Sequence, residues 1–321
     1  MTGGVMFGRR KLLSAVPAAA LAPAVARAQR PKVTLATAEE GGAFVVYAQA
    51  LLDVLRSADA VLEMRAMPSR GSSENVRLLE AGEADLGLVS GEVAQEVFAG
   101  INRPVGNLKV VSVMYSTPGM FAVRSDSRYR TITDLKGRPV VWNVRDSGFA
   151  VQARYVMSGL GLDMDKDFEP IYVEKVIDGP PMVIDGRAAA LWGGGLRWPG
   201  FVTIANDPRG ARFVVPTAGE IVRIRAKYDF LAPLSVPAGL YPGQYDRIDT
   251  IGTWSFVMAR ADLDDEVGRR LALALNRAER TGQLTKHLVQ TTAKNTLAAI
   301  PSPAVLQPGV ATYYREIGLL P

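Results

Sequence analysis

Strand, loop and helix alternate twice along this chain, and that alternation constrains the fold more than any other feature. The first run opens with an apolar strand, "KVTLAT" (32–37), and a loop, "AEEGGAF" (38–44). A helix follows, with Phe44, Tyr47, Leu51, Val54 and Leu55 at helical spacing. A short strand (62–67) leads into "PSRGSSENVRLLEAGEADLGLVSGEVA" (68–94). That segment reads as a hydroxyl-rich loop, a helix carrying Val76 and Leu79, and a strand at Leu86 that ends in Ser90. Short strands alternating with helices predict an α/β fold with parallel sheet covered on both faces.

The second run starts with "GRPVVW" (137–142) and a polar loop (143–148), then a helix with Val151, Tyr155 and Val156 on one face. Another strand (168–173) and a helical segment end in "DGRAAALWGG" (185–194), which parallels "AGEADLGLVS" (81–90) position by position. This predicts equivalent helix-to-strand junctions in two lobes. Between the runs lies "VVSVMYSTPGMFAVRSD" (110–126), too long for an ordinary strand and interrupted by Pro118-Gly119. A similar apolar run, "TIGTWSFVMAR", begins at Thr250. Two such crossings predict two lobes joined by a hinge. The boundaries follow: lobe I over 29–117, lobe II over 118–249, and a return strand with C-terminal helices of lobe I over 250–321.

The first 28 residues carry a paired arginine (Arg9, Arg10), an alanine-rich apolar stretch interrupted by Pro17 and Pro23, and Ala26-Arg27-Ala28. That order reads as a cleaved signal peptide of twin-arginine type, with a mature chain from about Gln29 outside the cytoplasm. The segment also explains the charge. The chain has 37 basic and 32 acidic residues, and four of the basic ones lie here, leaving 33 against 32. So balanced a remainder argues against a nucleic-acid partner.

Catalytic chemistry has few candidates. There is no cysteine and a single histidine, His287, in a polar stretch read as a solvated helix face. Asp163, Asp165 and Asp167 lack the glycine and distal glutamate of a calcium loop, so no metal site and no cofactor is expected. Glu39-Glu40 is the one carboxylate pair beside a loop of interest.

In parallel α/β sheets ligands sit beyond the carboxyl ends of strands, where helix N-termini offer unpaired N–H groups and a positive dipole end. Here those positions hold Gly41-Gly42-Ala43, Ser72-Ser73 and Ser147-Gly148. Ser72, Ser73 and Asn75 are candidate polar contacts, one of the two serines being an alternative N-cap. Trp142 and Trp192 follow second-run strands and read equally as an apolar wall of a site or as core.

In these motifs the chain resembles the TAXI family of solute receptors, the extracytoplasmic binding proteins of tripartite ATP-independent periplasmic (TRAP) transporters. The resemblance is carried by "VTLATAEEGGAFVVYAQAL", "SRGSSENVRLLEAGEADLGLVSGEVA", "DLKGRPVVWNVRDSGFA", "VPAGLYPGQ" and "PGVATYYREIGL". It implies a two-lobed fold of the type II periplasmic-binding-protein class that closes over a small organic acid or amino acid. It also implies delivery to TRAP permease subunits, without enzymatic chemistry, by a monomer. The contacts it implies are Gly42, Ala43, Phe44, Ser72, Ser73, Asn75 and Ser90, with Asn143, Ser147, Gly148 and Gly194 from the second lobe. The chain departs from the family pattern at Thr37-Ala38-Glu39-Glu40, at Phe44, at Trp142, Asn143 and Arg145, and at Ala189. Two other functional classes remain open at this point: a sensor feeding a membrane kinase, and a small-molecule enzyme on the same fold.

Overall fold

A computed structural model describes residues 1–4, 32–59, 62–284 and 287–321. The predicted signal segment, apart from its first four residues, therefore lies outside the described residues. In chain order the first run contains β1 (Lys32–Ala36), α1 (Ala43–Ala58), β2 (Glu63–Met67), α2 (Ser72–Glu80), β3 (Leu86–Val89) and α3 (Gly91–Ala99). The long β4 (Lys109–Arg124) leads to β5 (Pro139–Val141), α4 (Gly148–Gly159), β6 (Glu169–Ile171), α5 (Gly179–Ile184) and β7 (Ala190–Gly194). Then come α6 (Pro199–Ala205), β8 (Ala211–Val214), α7 (Ala218–Lys227), β9 (Ala232–Val236) and β10 (Ile248–Ala259). The chain finishes with α8 (Asp265–Arg280), α9 (Ala293–Ala299) and α10 (Pro308–Glu316).

The strands make a mixed sheet ordered β2-β1-β3-β10-β4-β7-β5-β6, with β8 on β4 and β9 on β10. β1, β2 and β3 are mutually parallel, as are β5, β6 and β7. β10 runs antiparallel to the first set and β4 to the second, and the two long strands run antiparallel to each other. β3 and β7 are buried along their whole length, so they read as unbroken apolar runs and not as alternating strands. The matching junctions before them are also observed: each helix ends in a left-handed glycine, Gly82 at φ 71° and Gly186 at φ 84°, followed by a buried alanine, Ala84 or Ala188.

β4 and β10 connect the two parallel sets. The last part of β10 pairs with β3, its first part with β9, while the end of β4 pairs with β7 and β8. Pro118 does not interrupt β4, contrary to the expectation from sequence. β7 joins β4 only from Gly119 onward, so the proline's missing N–H falls where β4 changes neighbours. Glycines permit the close approach there: a Cβ on Gly252 would stand 2.0 Å from the Thr117 carbonyl oxygen, and one on Gly119 2.5 Å from the Trp192 ring.

Two apolar clusters fill the two sides. The larger gathers Leu35, Leu51, Leu79, Leu86, Val110, Phe121 and Trp142 with α8 and α10, and the smaller is built around Trp198, Phe201 and Leu191. α8 joins α1 through a two-pronged pair between Arg270 and Asp59 (2.7 and 2.8 Å) and α10 through Arg269 and Glu316 (2.9 Å). His287 stands exposed in a turn beyond α8 and not on a helix face, because α8 stops at Arg280 and Gly282 takes φ 69°.

Candidate ligand-binding cleft

Four helices begin at one cleft. α1 follows β1, α2 follows β2, α3 follows β3 and α4 follows β5, so the cleft lies beyond the carboxyl ends of both parallel sets. It is lined by Gly42, Ala43 and Phe44 at the start of α1, Gly71 and Ser72 at that of α2, Ser90 and Glu92 at that of α3, and Ser147, Gly148 and Phe149 at that of α4. Ala38, Val144 and Val176 add apolar wall, Tyr115, Thr117 and Ser255 come from β4 and β10, and Glu39 and Arg70 supply charge. Four N-termini directed at one space favour a negatively charged group there.

The two sides touch around this cleft. A Cβ on Gly148 would lie 2.5 Å from Ser90 Oγ and 2.9 Å from Ser72 Oγ, and one on Gly41 would run into Ile177. Arg70 pairs with Glu174 at the rim (3.5 Å). Deeper in, Gln152 on α4 donates to Glu92 Oε1 (2.8 Å) and to the Thr117 carbonyl (2.9 Å), and Tyr155 donates to Glu96 (2.9 Å).

Of the residues singled out in the sequence, Gly42, Ala43, Phe44, Ser72, Ser90, Ser147 and Gly148 come together on the cleft lining. The N-cap of α2 is Gly71, in a backbone conformation (φ 107°) suited to glycine, and not either serine. Ser72 instead accepts from the Ser90 amide (3.0 Å), joining the starts of α2 and α3. Ser147 caps α4 by accepting from the Ala150 amide. Ser90 Oγ is buried without a partner.

The remaining candidates stand elsewhere. Ser73 is half-buried off the lining. Asn75 is fully buried; its amide donates to the carbonyls of Thr37 and Leu88 (both 2.7 Å), and its oxygen accepts from Ser69 (2.6 Å). It ties the ends of β1 and β3 to the loop before α2, which spends its polar capacity internally. Asn143 takes φ 65° and donates to the Trp192 carbonyl (2.5 Å), a role in shaping the loop after β5. Trp142 and Trp192 are 0% exposed and pack edge-on against Phe121 at 5.5 and 4.8 Å, so they are core. Gly194 adjoins Thr117 and Gln152 behind the cleft.

Sequence reasoning passed over Glu92. It is fully buried, accepts from Thr253 Oγ1 as well as Gln152 (both 2.8 Å), and keeps Oε2 without a partner. Burial pushes its carboxyl above the usual carboxylate range, against its own backbone amide, Thr253, Gln152 and the nearby Ser90 hydroxyl, which pull it down. Among the described residues no group of three or more His, Cys, Asp or Glu is arranged to hold a metal ion. Asp163, Asp165 and Asp167 are engaged in a turn with Lys136 and Lys166.

The NMT1-like family matches residues 35–318, from the end of β1 through α10. The chain belongs to the NMT1-like family. Solved structures place this NMT1-like protein among the type II periplasmic binding proteins in fold. A protein from Bordetella bronchiseptica RB50 is 15% identical over 91% of this chain and 82% of its own, at TM-score 0.54. A putative L-cystine ABC transporter protein from Listeria monocytogenes is 16% identical over 80% of this chain and 93% of its own, at 0.51. An ancestral arginine-binding protein bound to arginine is 12% identical over 83% and 100%, at 0.52. These identities establish shared architecture only. Among the described residues no helix is long and apolar enough to cross a membrane.

Proposed function

We propose that this NMT1-like protein is an extracytoplasmic solute-binding protein. It captures a small organic acid or amino acid by closing two lobes over the cleft and hands it to membrane permease subunits of TRAP type. The observation that carries the reading is the convergence of four helix N-termini, drawn from both parallel sets, on one cleft whose walls meet at Gly148, Ser72 and Ser90. Such a site binds an anion without covalent chemistry. The lobes in this reading are 29–117 with 250–321, and 118–249, hinged where β4 and β10 cross. The arginine bound by the ancestral protein and the L-cystine transport assigned to the Listeria protein support a small polar solute, and the TAXI-like motifs support the TRAP partner.

A panel of carboxylates, amino acids and sulfonates screened by thermal shift tests it. A ligand bound by the native state alone, at a hundredfold over its dissociation constant, adds about 2.7 kcal/mol to stability. No stabilising compound in a broad panel would count against the reading. Export belongs to the same proposal: replacing Arg9 and Arg10 together by lysine is expected to hold the precursor in the cytoplasm. An undiminished periplasmic yield would remove the twin-arginine assignment.

A further inference from the structure

Glu92 sits in the first turn of α3, excluded from solvent yet on the cleft lining. Its two oxygens are treated differently. Oε1 accepts two hydrogen bonds, from Gln152 and Thr253, while Oε2 is buried with none. The Ser90 hydroxyl stands close enough to the carboxyl to pull its pKa down, yet it meets no partner in full hydrogen-bond geometry. The groups acting on this carboxyl are burial and neutral donors, with no cation among them. From α4 it meets Gln152 and Tyr155, from β10 Thr253, and on its own helix Glu96 lies one turn further on. The charged side chains of the cleft lining other than Glu92 itself are Glu39 and Arg70, in the loops before α1 and α2.

A carboxylate in this setting would leave one charged oxygen bare in a desolvated pocket. A carboxylic acid would not. Because Oε1 is filled by two donors, the proton belongs on Oε2, the oxygen free to meet a ligand. We propose that Glu92 serves the cleft as a neutral acid whose Oε2–H, with the Ser90 hydroxyl, donates to the anionic oxygen of a small organic acid. The inference rests on the solute-binding reading and narrows its ligand class. A neutral acid cannot balance an ammonium, which leaves Glu39 as the other acid on the lining, so around Glu92 the cleft prefers monoanions with an apolar body, set against Phe44, Phe149, Val144 and Val176, over zwitterionic amino acids.

Uptake is then proton-linked. Binding needs the protonated form, so affinity is full below the Glu92 pKa of the free protein. It is lost as pH rises through that pKa, by about tenfold per pH unit well above it. The same sign holds for folding: ionisation is disfavoured in the native state, so stability declines as pH rises through the raised pKa.

Isovalerate and L-valine share a skeleton and differ in the ammonium, which makes them the probes. Calorimetric titration of both between about pH 6 and pH 9, on the wild type and on Glu92→Gln, is read beside the protonated-carboxyl infrared band of the free wild type. We expect isovalerate to bind tighter than valine with an affinity that falls with pH. Glu92→Gln, which keeps an N–H donor, should bind isovalerate with a flat pH profile. The wild type should show an infrared band near neutral pH that the variant lacks. Valine binding that strengthens with pH and vanishes in Glu92→Gln would overturn the proposal in favour of a charged Glu92 reading an ammonium. Absence of the infrared band would overturn it without reference to any ligand. Binding of other panel members but not isovalerate would overturn the ligand class, whereas no binder at all would defeat the solute-binding reading itself.

Discussion

Ser90 and Asn75 show how two buried polar side chains in one stretch of chain divide between site and scaffold. Asn75 has every polar atom engaged, and removing it takes one hydrogen bond each from the Thr37 and Leu88 carbonyls and from the Ser69 hydroxyl, all in a buried setting. Asn75→Ala is expected to lower unfolding stability by about 3 kcal/mol, measured by urea denaturation, with the cleft affected only through its floor. Ser90 Oγ has no internal bond to lose. Ser90→Ala should change stability by no more than about 0.5 kcal/mol yet weaken ligand binding by roughly tenfold. Spacing in the sequence could not separate these roles, because the partners that commit Asn75 are backbone carbonyls at 37 and 88. The tryptophans were ambiguous for the same reason: only the packing of Phe121 between Trp142 and Trp192 assigns them to the core. Glu92 was illegible because an acidic residue in a helix's first turn ordinarily complements the dipole, and its partners Gln152 and Thr253 lie 60 and 161 residues away.

At the scale of elements, the strands and helices that frame the cleft were readable from periodicity and glycine placement, since both signals are local. The point at which β7 joins β4, on the edge far from β10, was not, because it depends on which strand lies adjacent beyond Pro118. The crossing is also where substitution should hurt most. Gly252→Ala would press a methyl against the Thr117 carbonyl at 2.0 Å, a backbone contact that no rotamer change relieves. A loss of about 3 kcal/mol is expected in chemical denaturation, and an unchanged midpoint would show that the two strands yield there more easily than the geometry allows.

For the whole molecule, the alternation of elements revealed two parallel sets, but how they meet rests on contacts between distant residues. Those contacts, Gly148 on Ser72 and Ser90, Arg70 with Glu174 and Tyr155 with Glu96, describe walls drawn together over the cleft. If β4 and β10 act as the hinge, saturating ligand should reduce the radius of gyration in small-angle scattering relative to ligand-free protein. An identical value in both states would mean rigid halves.

The central claim, that the cleft closes on a small acidic solute, is tested most directly by the thermal-shift panel run in parallel on the wild type and on Gly148→Ala. The added methyl would meet Ser90 Oγ at 2.5 Å and Ser90 Cβ at 2.6 Å, holding the start of α4 away from the start of α3. The account predicts that at least one organic acid stabilises the wild type by several degrees and the variant far less, while both unfold at similar temperatures without ligand. Equal stabilisation of the two proteins by the same compound would contradict it, because the ligand would then bind somewhere other than the closed cleft.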